Sequence, residues 1–147
     1  MKWVLEHLND QLQTWQLSGH ELTIELKYNC ETHVFRLHAG ERRLFFLEKT
    51  GFVQTKLLLK TEYSIVIGEI HFFKNWNSGV AIIDDHKYHY SFKQNSLHLQ
   101  SFGDDEQYDL EIDNRSRLDQ FNLAALIFST CRILNVSLEL EEPTMAW

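Results

Sequence analysis

The sequence predicts a mainly β protein, in which an antiparallel β-barrel of about ten to twelve strands encloses one apolar helix near the C-terminus. Short segments of alternating apolar and polar residues follow one another at spacings near ten residues, as strands of a barrel do. Residues 118–134, LDQFNLAALIFSTCRIL, place apolar side chains in every direction around a helical wheel. A helix that lacks a polar face has to be surrounded. The chain offers strands to surround it and no βαβ crossovers, so antiparallel pairing is expected.

Length and composition predict a single domain covering residues 1–147. Of these residues 44% are hydrophobic and 13% aromatic, with one proline, which is typical of a folded, β-rich chain rather than a disordered one. The first residues, MKWVLEHLNDQLQTW, lack the pattern of a signal peptide, and residues 118–134 are too short and too interrupted to span a bilayer. We therefore expect a cytoplasmic protein without a transmembrane segment.

The elements follow from the alternation of apolar and polar residues along the chain. Gly68 interrupts one apolar run and predicts a bulge or bend there. Ser116, with Asp119 three residues later, resembles a capping pair at the start of the helix. The predicted strands comprise residues 21–27, 34–38, 43–48, 52–60, 63–73, 80–83, 88–92, 97–99, 108–112 and, after the helix, 136–140, where Pro143 ends the last strand.

The first 15 residues allow two interpretations. Val4, Leu8, Leu12 and Trp15 fit helical spacing, although a strand through Trp15 is also compatible with the pattern. A short helix or turn is the preferred interpretation.

The predicted architecture resembles the tubby-like fold, which tubby C-terminal domains, LURP-one-related proteins and phospholipid scramblases share. The likeness is strongest in the segments RLFFLEKTGF, KLLLKTEYSIVIGEI and GVAIID, and in the helix DQFNLAALIFST. This resemblance implies a barrel closed around a central helix, and for tubby domains a basic pocket that binds phosphoinositides. No basic residue of this chain can be aligned to that pocket. The membrane helix and cysteine-rich segment of scramblases are also missing from the sequence.

Five basic residues lie close together in sequence on neighbouring predicted strands: Arg42, Arg43, Lys49, Lys56 and Lys60. They could form a positive patch that suits anionic lipid headgroups. The alternative is that they are ordinary solvated residues paired with Glu41, Glu48 and Glu62.

Trp76 lies in the polar loop NWNSG and is predicted either as an exposed contact residue for a membrane or partner, or as a lid folded over the barrel mouth.

Other chemistry finds little support in the sequence. The net charge of −7, with its acidic run from Asp104 to Asp113, argues against a nucleic-acid partner. The run lacks calcium-loop spacing and is interpreted as a solvated turn and strand face. The eight histidines are scattered, so neither a metal site nor any other cofactor is predicted. Cys131 should be an apolar filler in the helix. No nucleophile motif or phosphate loop argues for an enzyme.

Two functional hypotheses remain. The first is a non-enzymatic binding or scaffold module with weak affinity for anionic lipid, such as a phosphoinositide, or for another protein. The second is a barrel that carries a small apolar ligand, which requires an empty interior. The space beside the helix distinguishes these hypotheses.

Overall fold

Each strand pairs antiparallel with the next along the chain. The structure is a computed structural model that describes residues 1–19, 22–51, 56–73, 76–103 and 106–141, with the backbone alone for residues 22, 41 and 136–141. The described strands are β1 (Lys2–Leu8), β2 (Leu12–Gly19), β3 (Leu22–Asn29), β4 (Val34–Ala39), β5 (Glu41–Thr50), β6 (Lys56–Thr61), β7 (Val66–Phe72), β8 (Ser78–Ile83), β9 (His86–Lys93), β10 (Ser96–Ser101) and β11 (Gln107–Ile112).

The strands close into a barrel, as predicted, although one of its pairings is parallel. An up-and-down series of eleven strands ends in the direction in which it began, so β1 and β11 can pair only in parallel. This seam is short, with Lys2 opposite Glu111 and Trp3 opposite Ile112. The expectation of purely antiparallel pairing is therefore wrong at the seam.

A single helix, α1 (Gln120–Glu141), runs through the barrel. Every side chain from Asn122 to Cys131 is buried. The strands of the barrel surround the helix. The predicted enclosed helix is thus confirmed. At the entry end of the barrel, where α1 begins, His33 stacks on Phe121 with ring centroids 3.7 Å apart. At the exit end, the Arg132 guanidinium lies 3.3 Å from Asp84 in the β8–β9 turn.

Gly68 lets a strand approach the helix closely. A Cβ atom at this position would lie 3.0 Å from the Phe128 ring and 2.9 Å from the Ile82 carbonyl oxygen. The pairing of β6 with β7 shifts by one residue beside it, so that Leu59 faces Gly68 while Lys60 faces Val66. The predicted irregularity at Gly68 is confirmed, and packing against α1 accounts for it.

The N-terminal residues form strands, so the preferred helix or turn at residues 1–15 is wrong. Trp3 and Trp15 point into the barrel and are fully buried, whereas Leu12 lies on the outer face. The apparent helical stripe therefore mixed residues from both faces of a hairpin. Between the strands, the Asn9 side chain accepts hydrogen bonds from the backbone N–H groups of Gln11 and Leu12, which fixes the turn.

Both ends of α1 differ from the prediction. A short 3-10 helix occupies Arg115–Arg117, so Asp119 rather than Ser116 caps α1, and its carboxylate accepts a 2.7 Å hydrogen bond from the Asn122 N–H. At the other end, the helix continues through residues 136–140, where a strand was predicted. Because β1 and β11 already close the barrel, no sheet edge remains for another strand. Pro143 lies outside the described residues.

Asp84 and Asp85 form the two-residue connection of the β8–β9 hairpin, with φ angles of 49° and 65°. Both residues thus have the left-handed conformation of a type I′ turn, which Asn-Gly satisfies best. The two strands predicted on either side, at residues 80–83 and 88–92, are confirmed, and the second begins earlier, at His86.

Replacing a core side chain of α1 with a carboxylate should prevent folding. In Phe128→Asp or Leu126→Asp, an unpaired charge would lie in the barrel interior at a cost of about 5 kcal/mol or more, comparable with the total stability of a domain. Circular dichroism and thermal melting test this expectation. Ile65→Asp makes a similar change at an exposed position and should melt cooperatively; a cooperative melt of Phe128→Asp would contradict the buried placement.

Asp85→Gly should raise the free energy of unfolding by about 1 kcal/mol, because glycine adopts positive φ without steric cost. Chemical denaturation measures the change. Asp85→Asn is the matched control, since it removes the charge but keeps a side chain. If Asn stabilises as much as Gly, the effect is electrostatic rather than conformational.

Candidate anion-binding surfaces

Two of the predicted basic residues are already paired with carboxylates on the outer face. Lys60 forms an ion pair with Glu48 on the neighbouring strand, as the alternative interpretation expected. The Lys56 ammonium lies 3.7 Å from Glu69. These two lysines therefore contribute little net positive charge to a surface.

The other three predicted basic residues do not lie together. Arg42 and Lys49 occupy opposite ends of β5, seven residues or about 23 Å apart along an extended strand. Arg43 and Arg42 share the exit end, and no described carboxylate forms an ion pair with either of them. The structure thus reduces the five-residue patch to an arginine pair at the exit end.

Arg132, which sequence reasoning did not single out, joins this arginine pair. The guanidinium carbons of Arg43 and Arg132 lie 5.9 Å and 5.3 Å from the centroid of the buried Phe45 ring. Attraction to the ring face holds both cations near one another. Asp84 neutralises only one of them. The only sequence signal for Arg132 is that it is the one cation in residues 118–134.

An apolar hairpin tip lies at the exit end with the arginines. Phe45 and Thr61 are the last pair of β5 with β6 at the exit end, and Arg43 and, in the β6–β7 turn, Tyr63 each lie two residues beyond this pair, at the same end of the barrel. Tyr63, Ile65 and Val66 are 78%, 58% and 50% exposed, which makes three adjacent large apolar side chains in water. Residues 63–65, predicted as the start of a strand, belong to this turn.

Hydrogen bonds order this tip. The Ser64 N–H donates to the Thr61 carbonyl over 3.0 Å, and the Thr61 N–H donates to the Ile65 carbonyl over 2.9 Å. Ser64 has a φ of 61°, the left-handed residue that closes such a three-residue hairpin loop. Tyr63 is therefore presented by a defined turn.

Trp76 is half-buried and packs against the core at the entry end, far from the arginine pair. The Tyr90 hydroxyl donates a 3.1 Å hydrogen bond to the Trp76 carbonyl oxygen. This position agrees with the lid interpretation rather than with an exposed contact residue.

The barrel interior is filled by side chains. Trp3 donates a 2.9 Å hydrogen bond from its indole to the Thr130 hydroxyl, which in turn donates to the Leu126 carbonyl. Four pockets lined by described residues open onto the outer face, among side chains such as His98, Lys27 and Glu111. In the part of the chain that the structure describes, the empty interior required for a carrier is therefore missing.

A serine, a histidine and an aspartate lie in one row across three strands of the outer face. Ser91 pairs with His98 in register, and His98 pairs with Asp109, whose carboxylate contacts its Nδ1 atom. No hydrogen bond joins Ser91 to His98 among the described residues, and the row lies open to water. Such an arrangement does not activate the serine as a nucleophile.

The remaining predictions concern metal, cysteine and acidic residues. Nowhere in the described ranges do three His, Cys, Asp or Glu side chains converge as they would around a metal ion. Cys131 is fully buried, as expected, and burial raises the pKa of its thiol.

Asp109 and Glu111 point outward as predicted, whereas Asp104 and Asp105 lie outside the described residues. No helix in the described chain is long and apolar enough to cross a bilayer.

Comparison with known proteins gives no match: no family model, curated protein or solved structure is similar to the chain. Functional interpretation therefore depends on the geometry of this chain.

Glu69 should stabilise the fold in a pH-dependent way. A hydrogen bond from His71, whose Nε2 lies 3.1 Å away, lowers the pKa of Glu69, and Lys56 lowers it further, although partial burial opposes them. A lowered pKa in the folded state stabilises the fold at pH values above the ordinary pKa of glutamate. This stabilisation is lost as the pH falls through the folded-state pKa. The stability difference between the wild type and Glu69→Gln, measured by denaturation, should therefore shrink at acidic pH. His71→Gln should reduce this pH dependence; an unchanged dependence would contradict the role of His71.

Proposed function

We propose that the protein is a non-enzymatic binding module that attaches reversibly to anionic lipid through the exit end of its barrel. The observation that carries this proposal is the exposed tip of Tyr63, Ile65 and Val66 at the end of the barrel where Arg42 and Arg43 lie near the start of the neighbouring strand β5. We call these five residues the exit-end tip.

The two parts of the exit-end tip suit two layers of a membrane surface. A basic residue near an anionic leaflet contributes about 1 kcal/mol, and this attraction weakens with salt. Tyrosine favours the headgroup region, and the aliphatic side chains of Ile65 and Val66 gain by leaving water. Because the chain carries a net charge of −7 and Glu62 lies in the same turn, affinity should be modest.

Phosphorylated headgroups are the preferred lipid chemistry. Arg43 and Arg132 lie against the same ring, and among the described carboxylates only Asp84 pairs with either of them, at Arg132, which leaves guanidinium donors for a phosphate. A phosphoinositide offers several phosphates, as the resemblance to tubby-like domains also suggests. The closed barrel around a helix supports membership of that fold group, which we retain as a proposal.

The carrier hypothesis is less well supported, because α1 occupies the space that a ligand would need inside the barrel. A peripheral lipid contact is also compatible with the cytoplasmic location expected from the sequence, since the cytoplasmic leaflet is anionic.

Vesicle sedimentation tests the proposal. The protein should sediment with vesicles of phosphatidylcholine and phosphoinositide at low salt, release as ionic strength rises, and stay in solution with phosphatidylcholine alone. The double variant Arg42→Glu/Arg43→Glu should lose binding. Lys49→Glu/Lys93→Glu makes the same change of net charge at the entry end and should retain it.

Two further variants separate the apolar contribution from the charge. Tyr63→Ser should weaken sedimentation, and Glu62→Gln should strengthen it by removing the opposing charge. Equal losses in the exit-end and entry-end double variants would show that net charge alone decides binding. Absence of sedimentation at low salt would overturn the lipid proposal.

A further inference from the structure

A groove of about 680 Å³ crosses the outer face of β2 to β5 in the half of the barrel nearest the entry end. We call it the outer groove. Its volume falls within the range of about 300–1,000 Å³ typical of small-molecule sites. The residues that line it include Leu12, Lys27, Val34, Arg36, Leu44 and Phe46.

The floor of the outer groove is unusually apolar for the wet face of a sheet. Val34 pairs with Phe46 across β4 and β5, and both point away from the core. Leu44 is the outward neighbour of Phe46 on the same strand, and Leu12 is 44% exposed. The outward-facing residues of such a strand are ordinarily polar. Asn29 separates Leu12 from Val34 in the same row, whereas Val34, Leu44 and Phe46 are neighbours across β4 and β5. These three side chains therefore form a contact surface for an apolar partner.

Two cations border this floor in an unfavourable arrangement. Lys27 and Arg36 are directly opposite in the pairing of β3 with β4, where like charges destabilise a sheet. Lys27 lies 3.6 Å from Glu25, but both side chains are solvated and such a pair contributes little. No described carboxylate pairs with Arg36. An anion bound between the cations would relieve their repulsion.

We propose that the outer groove binds a medium-chain fatty acid. Its carboxylate lies between Lys27 and Arg36, and its alkyl chain covers Val34, Leu44 and Phe46. From the point between Lys27 and Arg36, Phe46 lies about one and a half strand spacings across the sheet and two residues along it, a diagonal of about 10 Å. This length suits an alkyl chain such as that of decanoate rather than a bulky or polyanionic ligand.

This site is independent of the exit-end tip. It contains none of Arg42, Arg43 and Tyr63, and its residues cluster toward the opposite end of the barrel. Variants in one surface therefore leave the other unchanged, and the failure of one proposal does not imply failure of the other.

Isothermal titration calorimetry of the full chain with decanoate, below its micelle concentration, tests the inference. Decanoate should bind, acetate should bind at least about tenfold more weakly because it lacks the alkyl chain, and decyltrimethylammonium should not bind because its charge is reversed. Arg36→Gln should weaken decanoate binding about tenfold or more through loss of a charge-assisted hydrogen bond. Lys93→Gln removes one cation from the outer face outside both the groove and the exit-end tip, and as the matched control it should bind decanoate normally.

Variants that still fold are needed to test the contribution of the apolar floor to decanoate binding. Leu44→Ser and Phe46→Ser should each weaken decanoate binding, and circular dichroism confirms that the compared variants retain the barrel. Equal binding of decanoate and decyltrimethylammonium, equal effects of Arg36→Gln and Lys93→Gln, or no binding of decanoate would each overturn the proposal. A dimer in light scattering that Leu44→Ser or Phe46→Ser converts to a monomer would place a second copy of the chain in the groove and would also overturn the proposal.

Discussion

Burial of α1 on all sides is the constraint on which the rest of the structure depends. Along residues 122–131 the helix has no face that water could solvate, so the sheet has to pass all the way round it. The helix in turn needs room, which Gly68 supplies where the Phe128 ring meets β7. Closure also removes the exposed sheet edges that would otherwise pair with other chains. Helix and barrel therefore stabilise one another, and neither is expected to persist alone.

A filled interior moves every candidate binding surface to the outside of the barrel. The exit-end tip combines arginines with an apolar turn, whereas the outer groove combines two facing cations with an apolar floor. Both surfaces carry local positive charge on a chain with a net charge of −7, where long-range attraction of anions is weak. Short-range contacts should accordingly decide what binds, and each surface pairs charge with apolar area for that purpose.

The sequence predicted the barrel and its helix because alternation and all-round apolarity are local patterns with one physical solution. It failed where a pattern had two solutions: Leu12 and Trp15 shared a helical stripe but lie on opposite faces of β2. The extension of the helix past Asn135 depends on the pairing of β1 with β11, which are far apart in the sequence. The same limit applies to the surfaces. Proximity in sequence grouped Lys49 with Arg42, whereas only strand register brings Lys27 opposite Arg36 and Arg43 to the same end of the barrel as Tyr63.

Native-state hydrogen exchange of the α1 backbone amides tests the enclosed helix most directly. If the barrel encloses the helix, the amides of residues 123–133 should exchange only through global unfolding, and their opening free energy should equal that from chemical denaturation. The amides of the central strands should give the same value. Exchange of the helix amides at a clearly lower free energy, while the strands remain protected, would show that the helix leaves a barrel that stands without it, and would contradict the mutual dependence of the two.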